Sequence, residues 1–328
     1  MPELAEVETI RLGLAQHLLG ARVEGLEGLH PRVNRHRDLP YEWAAGRRIA
    51  EVARRGKFLW CTLVADAAGA AGAHQAPPGG PAEPLALLFH LGMSGQLLVD
   101  SEIGQFDSVG AHGERVEGGV GAAASDRDKH LRARLVFSDA AGEHLLRFVD
   151  QRTFGYVSLC RLAPTPDGQP GGQGTELAAL PTRAAGIARD ALDPYLDVAQ
   201  VADAVRSSRT IIKSQLLDQG KVSGIGNIYA DEALARAGIH PTRPGNSLSA
   251  AEVERLLEAA AQVLRAAIEV GGTSFDALYV DAAGNPGYFA RELWAYGRYG
   301  QPCRRCGTSL ERSVLGGRSA TFCPACQV

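Results

Sequence analysis

Pro2, Glu3 and Glu6 place an imino acid and two carboxyls at the very start of the chain. Aminopeptidases remove Met when the next residue is as small as Pro, so Pro2 is expected to become a free secondary amine. An α-amine titrates near ~7.7–8.0 and Lys near ~10.4, so at neutral pH an appreciable share of the former is nucleophilic and almost none of the latter. Attack on a sugar C1′ gives an iminium that draws electrons and acidifies C2′. Loss of a base can then be followed by strand scission through elimination. A carboxyl kept protonated beside the amine, Glu3 or Glu6, can donate to the sugar oxygen as general acid. While Met1 is retained the nitrogen of Pro2 is an amide and inert. By itself Met-Pro-Glu has a plainer reading, an ordinary helix start.

Four thiols form the most specific local signal. Cys303-Arg-Arg-Cys306 and Cys323-Pro-Ala-Cys326 are two C-x-x-C pairs separated by 16 residues. That spacing closes a tetrahedral Zn2+ site with one pair on each knuckle of a hairpin. A redox C-x-x-C is the competing reading, which two pairs in one short segment disfavour. A closed four-Cys site has no open position and is structural. Cys61 and Cys160 stand alone in apolar strands and read as core. A third signal is Lys221-Val-Ser-Gly-Ile-Gly-Asn-Ile-Tyr229, running from a turn into a helix. Its glycines allow close backbone approach to a phosphate, and a helix start offers N–H donors. Asn227 and Tyr229 add side-chain donors and Lys213 a charge. A plain helix–turn–helix of the core is the alternative.

These residues need elements to position them. Residues 2–19 carry Val7, Ile10, Leu14 and Leu18 at helical spacing. Residues 48–64, 85–99, 132–138 and 144–162 read as strands of a β-sandwich or barrel. Residues 66–84, 100–129 and 164–175 are Gly-, Ala- or Pro-rich and aperiodic, and read as mobile loops. After about Arg189 the pattern turns helical, over 197–206, 209–219 and 227–237. A capping box at Ser249-Ala-Ala-Glu252 then opens a long helix that ends at Gly271-Gly272. The fold class is α+β multidomain. An N-terminal β-sandwich with flanking helices spans 1–163 and a linker 164–190. A helical domain spans 191–290, and a zinc β-hairpin 291–328.

The composition, 45% hydrophobic and 22% charged, is that of an ordinary globular protein. The net charge of -3 does not point to nucleic acid, but its distribution does. His30–Trp60 holds eight Lys/Arg against three acids, and Phe289 to the end six Arg against two. Such local basic patches set the field a phosphate backbone meets, although charge runs are also common on solvated faces. No apolar run reaches membrane-spanning length. MPELAEVETI lacks a signal core, so a cytosolic location is expected, with no membrane partner. No self-complementary apolar patch stands out, so a monomer is expected.

Together the motifs resemble the formamidopyrimidine-DNA glycosylases across nearly the whole chain. The resemblance rests on Pro2-Glu-Leu-Ala-Glu-Val-Glu-Thr9, Arg55-Gly-Lys57, His90-Leu-Gly-Met-Ser-Gly95, Asp150-Gln-Arg-Thr-Phe-Gly155, Gly224-Ile-Gly-Asn-Ile-Tyr-Ala-Asp-Glu232, Pro286-Gly-Tyr-Phe289 and the terminal hairpin. It implies Pro2 as nucleophile, Glu3 as proton donor, Glu6 as an acid supporting the amine, and Lys57 as a basic residue of the active site associated with elimination and phosphate contact. It implies phosphate contacts from His90, Lys213, Asn227 and Tyr229, and from Arg318 on the hairpin. Met93, Arg152 and Phe154 match the side chains that fill the gap left by a flipped nucleotide, with Arg152 facing the orphaned base and Phe154 wedging the stack. Extruding a base costs a few kcal/mol, which apolar wedges and a cation offset; membership of the core is the alternative for Met93 and Phe154. The helical domain is then a helix–two-turn–helix with a lesion-recognition loop at 272–289.

The resemblance implies a bifunctional glycosylase and lyase acting on oxidised purines in damaged double-stranded DNA, with one structural zinc. The rivals are an endonuclease VIII-like glycosylase for oxidised pyrimidines and a zinc DNA-binding protein without catalysis. Leu4, where endonuclease VIII relatives usually carry Gly, and the Arg152/Phe154 pair argue against the first. The combination of Pro2, Glu3, Glu6 and Lys57 argues against the second. One departure stands out: Ala5 occupies a position that is usually Pro in the family.

Overall fold

The computed structural model describes residues 2–66, 80–101, 107–109, 115–117, 128–273 and 289–328. Helix α1 (Leu4–Leu18) follows the expected periodicity. Its Glu6 carboxylate accepts from the Glu3 N–H at 2.8 Å and closes the first turn. The strands are β1 (Arg22–Glu27), β2 (Arg47–Arg55), β3 (Phe58–Ala65), β4 (Leu85–His90), β5 (Gly95–Ser101), β6 (Asp107–Val109), β7 (Arg115–Glu117), β8 (Leu131–Asp139), β9 (Gly142–Asp150), β10 (Tyr156–Pro164) and β11 (Ala179–Pro181). Nine of them form an antiparallel sheet in the order β11-β10-β4-β3-β2-β1-β8-β9-β5. β1 meets β2 at one pair, Arg22↔Arg48, and gives the rest of its length to β8. The sheet folds over at this junction. Ile49, Leu59 and Leu87 of one half thereby share a core with Phe137, Leu146 and Phe148 of the other. This is the expected β-sandwich.

Some expected strands divide into two instead. Residues 48–64 divide into β2 and β3 at Gly56, whose φ is +54. Residues 85–99 divide at Gly92 (φ +61) into β4 and β5, which pair with different neighbours. The aperiodic stretches also hold structure. Within 100–129, β6 and β7 pair as a small antiparallel ladder. Residues 164–175 are a docked segment rather than a mobile loop. Gln173 exchanges both backbone hydrogen bonds with Arg54, at 2.8 and 2.9 Å. A Cβ on Gly172 would stand 2.2 Å from the Arg54 carbonyl oxygen, so glycine there serves close packing.

The helical region comprises α2 (Val198–Arg206), α3 (Ile212–Leu216), α4 (Asn227–Ala237) and α5 (Ala250–Glu269), and the chain ends with β12 (Glu311–Leu315) paired to β13 (Arg318–Phe322). α5 begins at the expected capping box and stops before Gly271 and Gly272, both left-handed. None of the described helices is long and apolar enough to cross a membrane. α1 belongs to two cores at once. Val7, Ile10, Leu14 and Leu18 lie in the sandwich, whereas Leu4 and Ala5 are sealed into the helical core with Ile225, Tyr229 and Phe289. Ala5 occupies the second helical position, where no intrahelical acceptor exists for its N–H, and full burial holds it in place. Glu3 and Glu6 therefore sit at the seam between domains.

Candidate active site at the domain seam

Pro2 is buried at this seam. Glu3 reaches across it and accepts from the N–H groups of Gly226 (2.7 Å), Ile228 (3.0 Å) and Tyr229 (3.3 Å). Its carboxylate thus caps α4 from a distant part of the chain, supplying negative charge where the helix start is positive. The glycines of the 224–226 turn make room for this. A Cβ on Gly226 would lie 2.3 Å from the Glu3 carboxyl carbon, and one on Gly224 2.5 Å from Leu4. The helix start expected to offer free donors to a phosphate is therefore largely occupied by Glu3. Glu6 accepts from Tyr229 Oη (2.7 Å), Thr273 N (2.8 Å) and Thr273 Oγ1 (2.7 Å). Tyr229 is fully buried, so its hydroxyl serves Glu6 rather than an exposed surface.

Lys57 lies on the β2–β3 turn, and its Nζ donates to the Ile225 carbonyl at 3.1 Å. The turn is fixed by Asp190, which accepts from Gly56 N (3.1 Å) and pairs with Arg54 (2.7 Å). Arg54 also pairs with Glu8 of α1 at 2.8 Å. This buried relay joins the sandwich to the helical domain and holds Lys57 beside Glu3. Burial raises the pKa of Glu3, with the Lys57 cation pulling the other way and Glu6 adding to the rise. Burial lowers that of Lys57, which the Glu3 charge opposes and Arg318 reinforces. A carboxyl that tends to keep its proton and an amine that tends to lose its own are suited to proton transfer.

Lys213 and Asp231 form a buried ion pair at 2.6 Å. Lys213 Nζ also donates to the Ser319 carbonyl, and Asp231 accepts from Thr321 N at 3.0 Å. Lys213, expected at a phosphate, is instead 1% exposed and bonded to Asp231 and the main chain of β13. Asn227 Nδ2 reaches Ser319 Oγ at 3.5 Å. These contacts fix β13, at whose start Arg318 is exposed. Asp231→Asn leaves Lys213 buried without its counter-charge, so it should lower unfolding stability by about 3–5 kcal/mol. Denaturant titration measures this, and an unchanged midpoint would contradict the pairing.

The loops bearing Met93, Arg152 and Phe154 are locked together. Asp150 accepts from Ser94 Oγ (2.6 Å), Arg152 N (3.2 Å) and Gly155 N (2.8 Å). A Cβ on Gly92 would meet the Gly155 nitrogen at 2.4 Å. Met93 is half-buried, whereas Arg152 and Phe154 are exposed, with the guanidinium 5.4 Å from the ring centroid. Phe154 is thus not a core residue. His90 lies between Phe58 and Tyr156, and its Nδ1 accepts from Gly92 N at 3.2 Å. Burial, reinforced by the Lys57 and Arg35 cations, pushes His90 down to about 4, so it is neutral near pH 7 and its Nε2 carries the proton. Given the phosphate contact that the resemblance implies for His90, His90→Ala should weaken DNA binding through one neutral hydrogen bond, about 0.5–1.5 kcal/mol. The slope of log affinity against log salt should stay the same. A slope shallower by ~0.9 would mean that a charged histidine had been lost.

At the hairpin the four cysteine Sγ atoms lie within 4.8 Å of one another. Cys303–Cys326 are 4.0 Å apart and Cys306–Cys323 3.5 Å. Four sulfurs around one tetrahedral zinc at ~2.3 Å stand about 3.8 Å apart, so the set fits one structural zinc. Glu232 supports the approach to it, accepting from the N–H groups of Trp294, Ala295 and Tyr296 at 2.8, 2.8 and 3.0 Å. Asp190, Asp231, Glu232 and Thr273 escape a reading by motif, although Asp231 and Glu232 stand inside the quoted Gly224–Glu232 stretch. The expected lesion-recognition loop, 272–289, falls outside the described residues over 274–288.

Three family models match the chain. They are the formamidopyrimidine-DNA glycosylase N-terminal domain over 1–157, the formamidopyrimidine-DNA glycosylase H2TH domain over 187–278, and a zinc finger found in FPG and IleRS over 300–328. The chain is 44% identical to a formamidopyrimidine-DNA glycosylase of Kineococcus radiotolerans, covering 100% of this chain and 97% of the relative. It is 45% identical to that of Acidothermus cellulolyticus, with the same coverage. Among solved structures, the MutM (Fpg) protein of Thermus thermophilus superposes with a TM-score of 0.72 at 32% identity, covering 99% of this chain and 98% of that one. Lactococcus lactis Fpg in complex with DNA containing an abasic site gives 0.70 at 26%, covering 99% of each.

Proposed function

The chain belongs to the formamidopyrimidine-DNA glycosylase family, and on that basis we propose that it excises oxidised purines from duplex DNA and then cleaves the strand. The observation that carries this reading is the Glu3 cap on α4. It ties the terminal segment to a second domain and leaves Glu3, the neighbour of Pro2 in the chain, within the field of Lys57 and Glu6. Freed of Met1, the Pro2 amine attacks C1′ of the damaged nucleotide while Glu3 protonates the sugar oxygen. The base leaves, an iminium links Pro2 to the opened sugar, and loss of the C2′ proton drives β- and then δ-elimination of the phosphates. Lys57 assists that proton transfer and holds a phosphate. Arg318, Asn227 and His90 hold neighbouring phosphates, and Met93, Arg152 and Phe154 occupy the space the nucleotide vacates.

Borohydride added during turnover on duplex DNA containing 8-oxoguanine should trap a covalent adduct whose linked peptide begins at Pro2. Absence of an adduct, or an undiminished adduct in protein that retains Met1 and so keeps the Pro2 nitrogen as an amide, would overturn the mechanism. Preference for thymine glycol over 8-oxoguanine would move the substrate to oxidised pyrimidines.

A further inference from the structure

Thr153 is the only described non-glycine residue with positive φ, at +56. A β-branched side chain is disfavoured in that region. Thr153 stands between Arg152 and Phe154, so its backbone angles set the direction of both. Asp150 grips the turn from within, through the N–H groups of Arg152 and Gly155. Arg35 grips it from outside, with Nη1 donating to the Thr153 carbonyl at 3.3 Å and Nη2 to the Phe154 carbonyl at 2.8 Å.

The rest of the Arg35 fork is also committed, to the Arg32 carbonyl at 2.9 Å and to His36 Nε2 at 3.2 Å. This arginine therefore serves protein acceptors although its side chain is exposed. Its own segment is pinned to β10. Val157 N donates to the Val33 carbonyl (3.0 Å), Ser158 Oγ to that of His36 (2.7 Å), and Leu39 N to that of Leu159 (3.1 Å). A rigid support, a planar two-point donor and a strained turn form one mechanical unit.

We propose that Arg35 is a positioning residue for Arg152 and Phe154. By bridging the consecutive carbonyls of Thr153 and Phe154 it fixes the chain just after Thr153 and, with Asp150 holding the N–H groups of Arg152 and Gly155, keeps Thr153 in the left-handed conformation that aims both side chains outward. The inference rests on the reading of those two as occupants of the vacated nucleotide space. Without the bridge Thr153 relaxes toward negative φ and the two side chains turn away from their shared patch. A residue that accepts the left-handed conformation readily, such as Asn, no longer needs the bridge.

The test compares Arg35→Ala, Arg35→Lys, Thr153→Asn and the Arg35→Ala/Thr153→Asn double variant. Amide hydrogen exchange at Arg152 and Gly155 is read in the DNA-free protein, and single-turnover excision of 8-oxoguanine at saturating duplex. Arg35→Ala should speed exchange of both amides and slow excision, each by about tenfold, the scale of one strained backbone conformation. Lys cannot bridge two carbonyls with a planar fork, so Arg35→Lys should behave as Arg35→Ala. Adding Thr153→Asn should restore both readouts, which a merely structural role for Arg35 would not produce. Unchanged exchange in Arg35→Ala, or a double variant as slow as the single, overturns the proposal. If exchange responds and is rescued while Arg152→Ala and Phe154→Ala leave excision unaltered, the bridge stands and the void-filling reading falls.

Discussion

Glu3→Gln should reduce excision of 8-oxoguanine by two to four orders of magnitude in kcat, the usual contribution of a positioned general acid. The geometry gives the reason. One carboxyl both caps α4, through three N–H groups, and stands beside Lys57. Gln retains one acceptor oxygen but turns an NH2 toward donors that Glu3 satisfies. That should cost about 1–3 kcal/mol of stability, too little to unfold the protein. The loss in rate thus exceeds the loss in folded protein. A duplex that already carries an abasic site separates the two effects. Its sugar opens to the aldehyde without enzymatic protonation, so Pro2 can still form the iminium there, and the loss should be much smaller. pH provides a second check. The acid must be protonated, and burial raises its pKa above the ordinary carboxylate value. Excision should persist above the usual carboxylate range and fall as pH rises through that raised value. Glu3→Gln should abolish this limb of the profile. An equal loss on both substrates would assign Glu3 to scaffolding alone.

This dual use of Glu3 marks the boundary of what is legible in the sequence. The Pro-Glu terminus, the C-x-x-C pairs and the helical stretch after Arg189 are local patterns, and local spacing is what a sequence displays. The seam depends on partners far apart along the chain. The three N–H groups that hold Glu3 lie more than 220 residues away. Asp190 meets Arg54 across the linker, and nothing in its neighbourhood distinguishes it from any other loop aspartate. Lys213 shows the converse. A lysine before a glycine turn suggests phosphate by type, whereas burial beside Asp231 makes it an internal support. The segment 164–175 is aperiodic because its order comes from Arg54 and the sheet edge rather than from any repeat of its own. Ala5 changes meaning for the same reason, since packing in the helical core fixes the terminal turn without the rigidity of a proline.

Removing zinc should sever DNA binding from an otherwise folded protein. β12 and β13 are five residues each, and a lone two-stranded hairpin is marginal in water. Ala320, Phe322 and Leu310 are the main apolar side chains it buries. A structural zinc, by contrast, supplies about 10–16 kcal/mol in small finger peptides. Cys306→Ala, or a chelator strong enough to strip the metal, should therefore unfold the hairpin. Ser319 and Thr321 then leave Lys213 and Asp231, and Arg318 loses its fixed origin. The phosphate contact proposed for Arg318, taken as two charged hydrogen bonds, is then lost. At about 1.5 kcal/mol each this lowers affinity roughly 10²-fold. The helical core should survive, because the Lys213–Asp231 pair and the Glu232 cap on 294–296 lie on α3 and α4, outside the hairpin. The expected outcome is zinc-free protein with near-parental helical content, weakened binding in anisotropy titrations and little borohydride adduct on lesion duplex. Parental affinity in protein shown by atomic absorption to lack zinc would mean that the hairpin does not carry the phosphate contact. Arg318→Ala in the zinc-loaded protein gives the complementary control. That variant should reproduce most of the loss while keeping the metal, because Arg318 is exposed and is not among the four cysteines that fit the zinc.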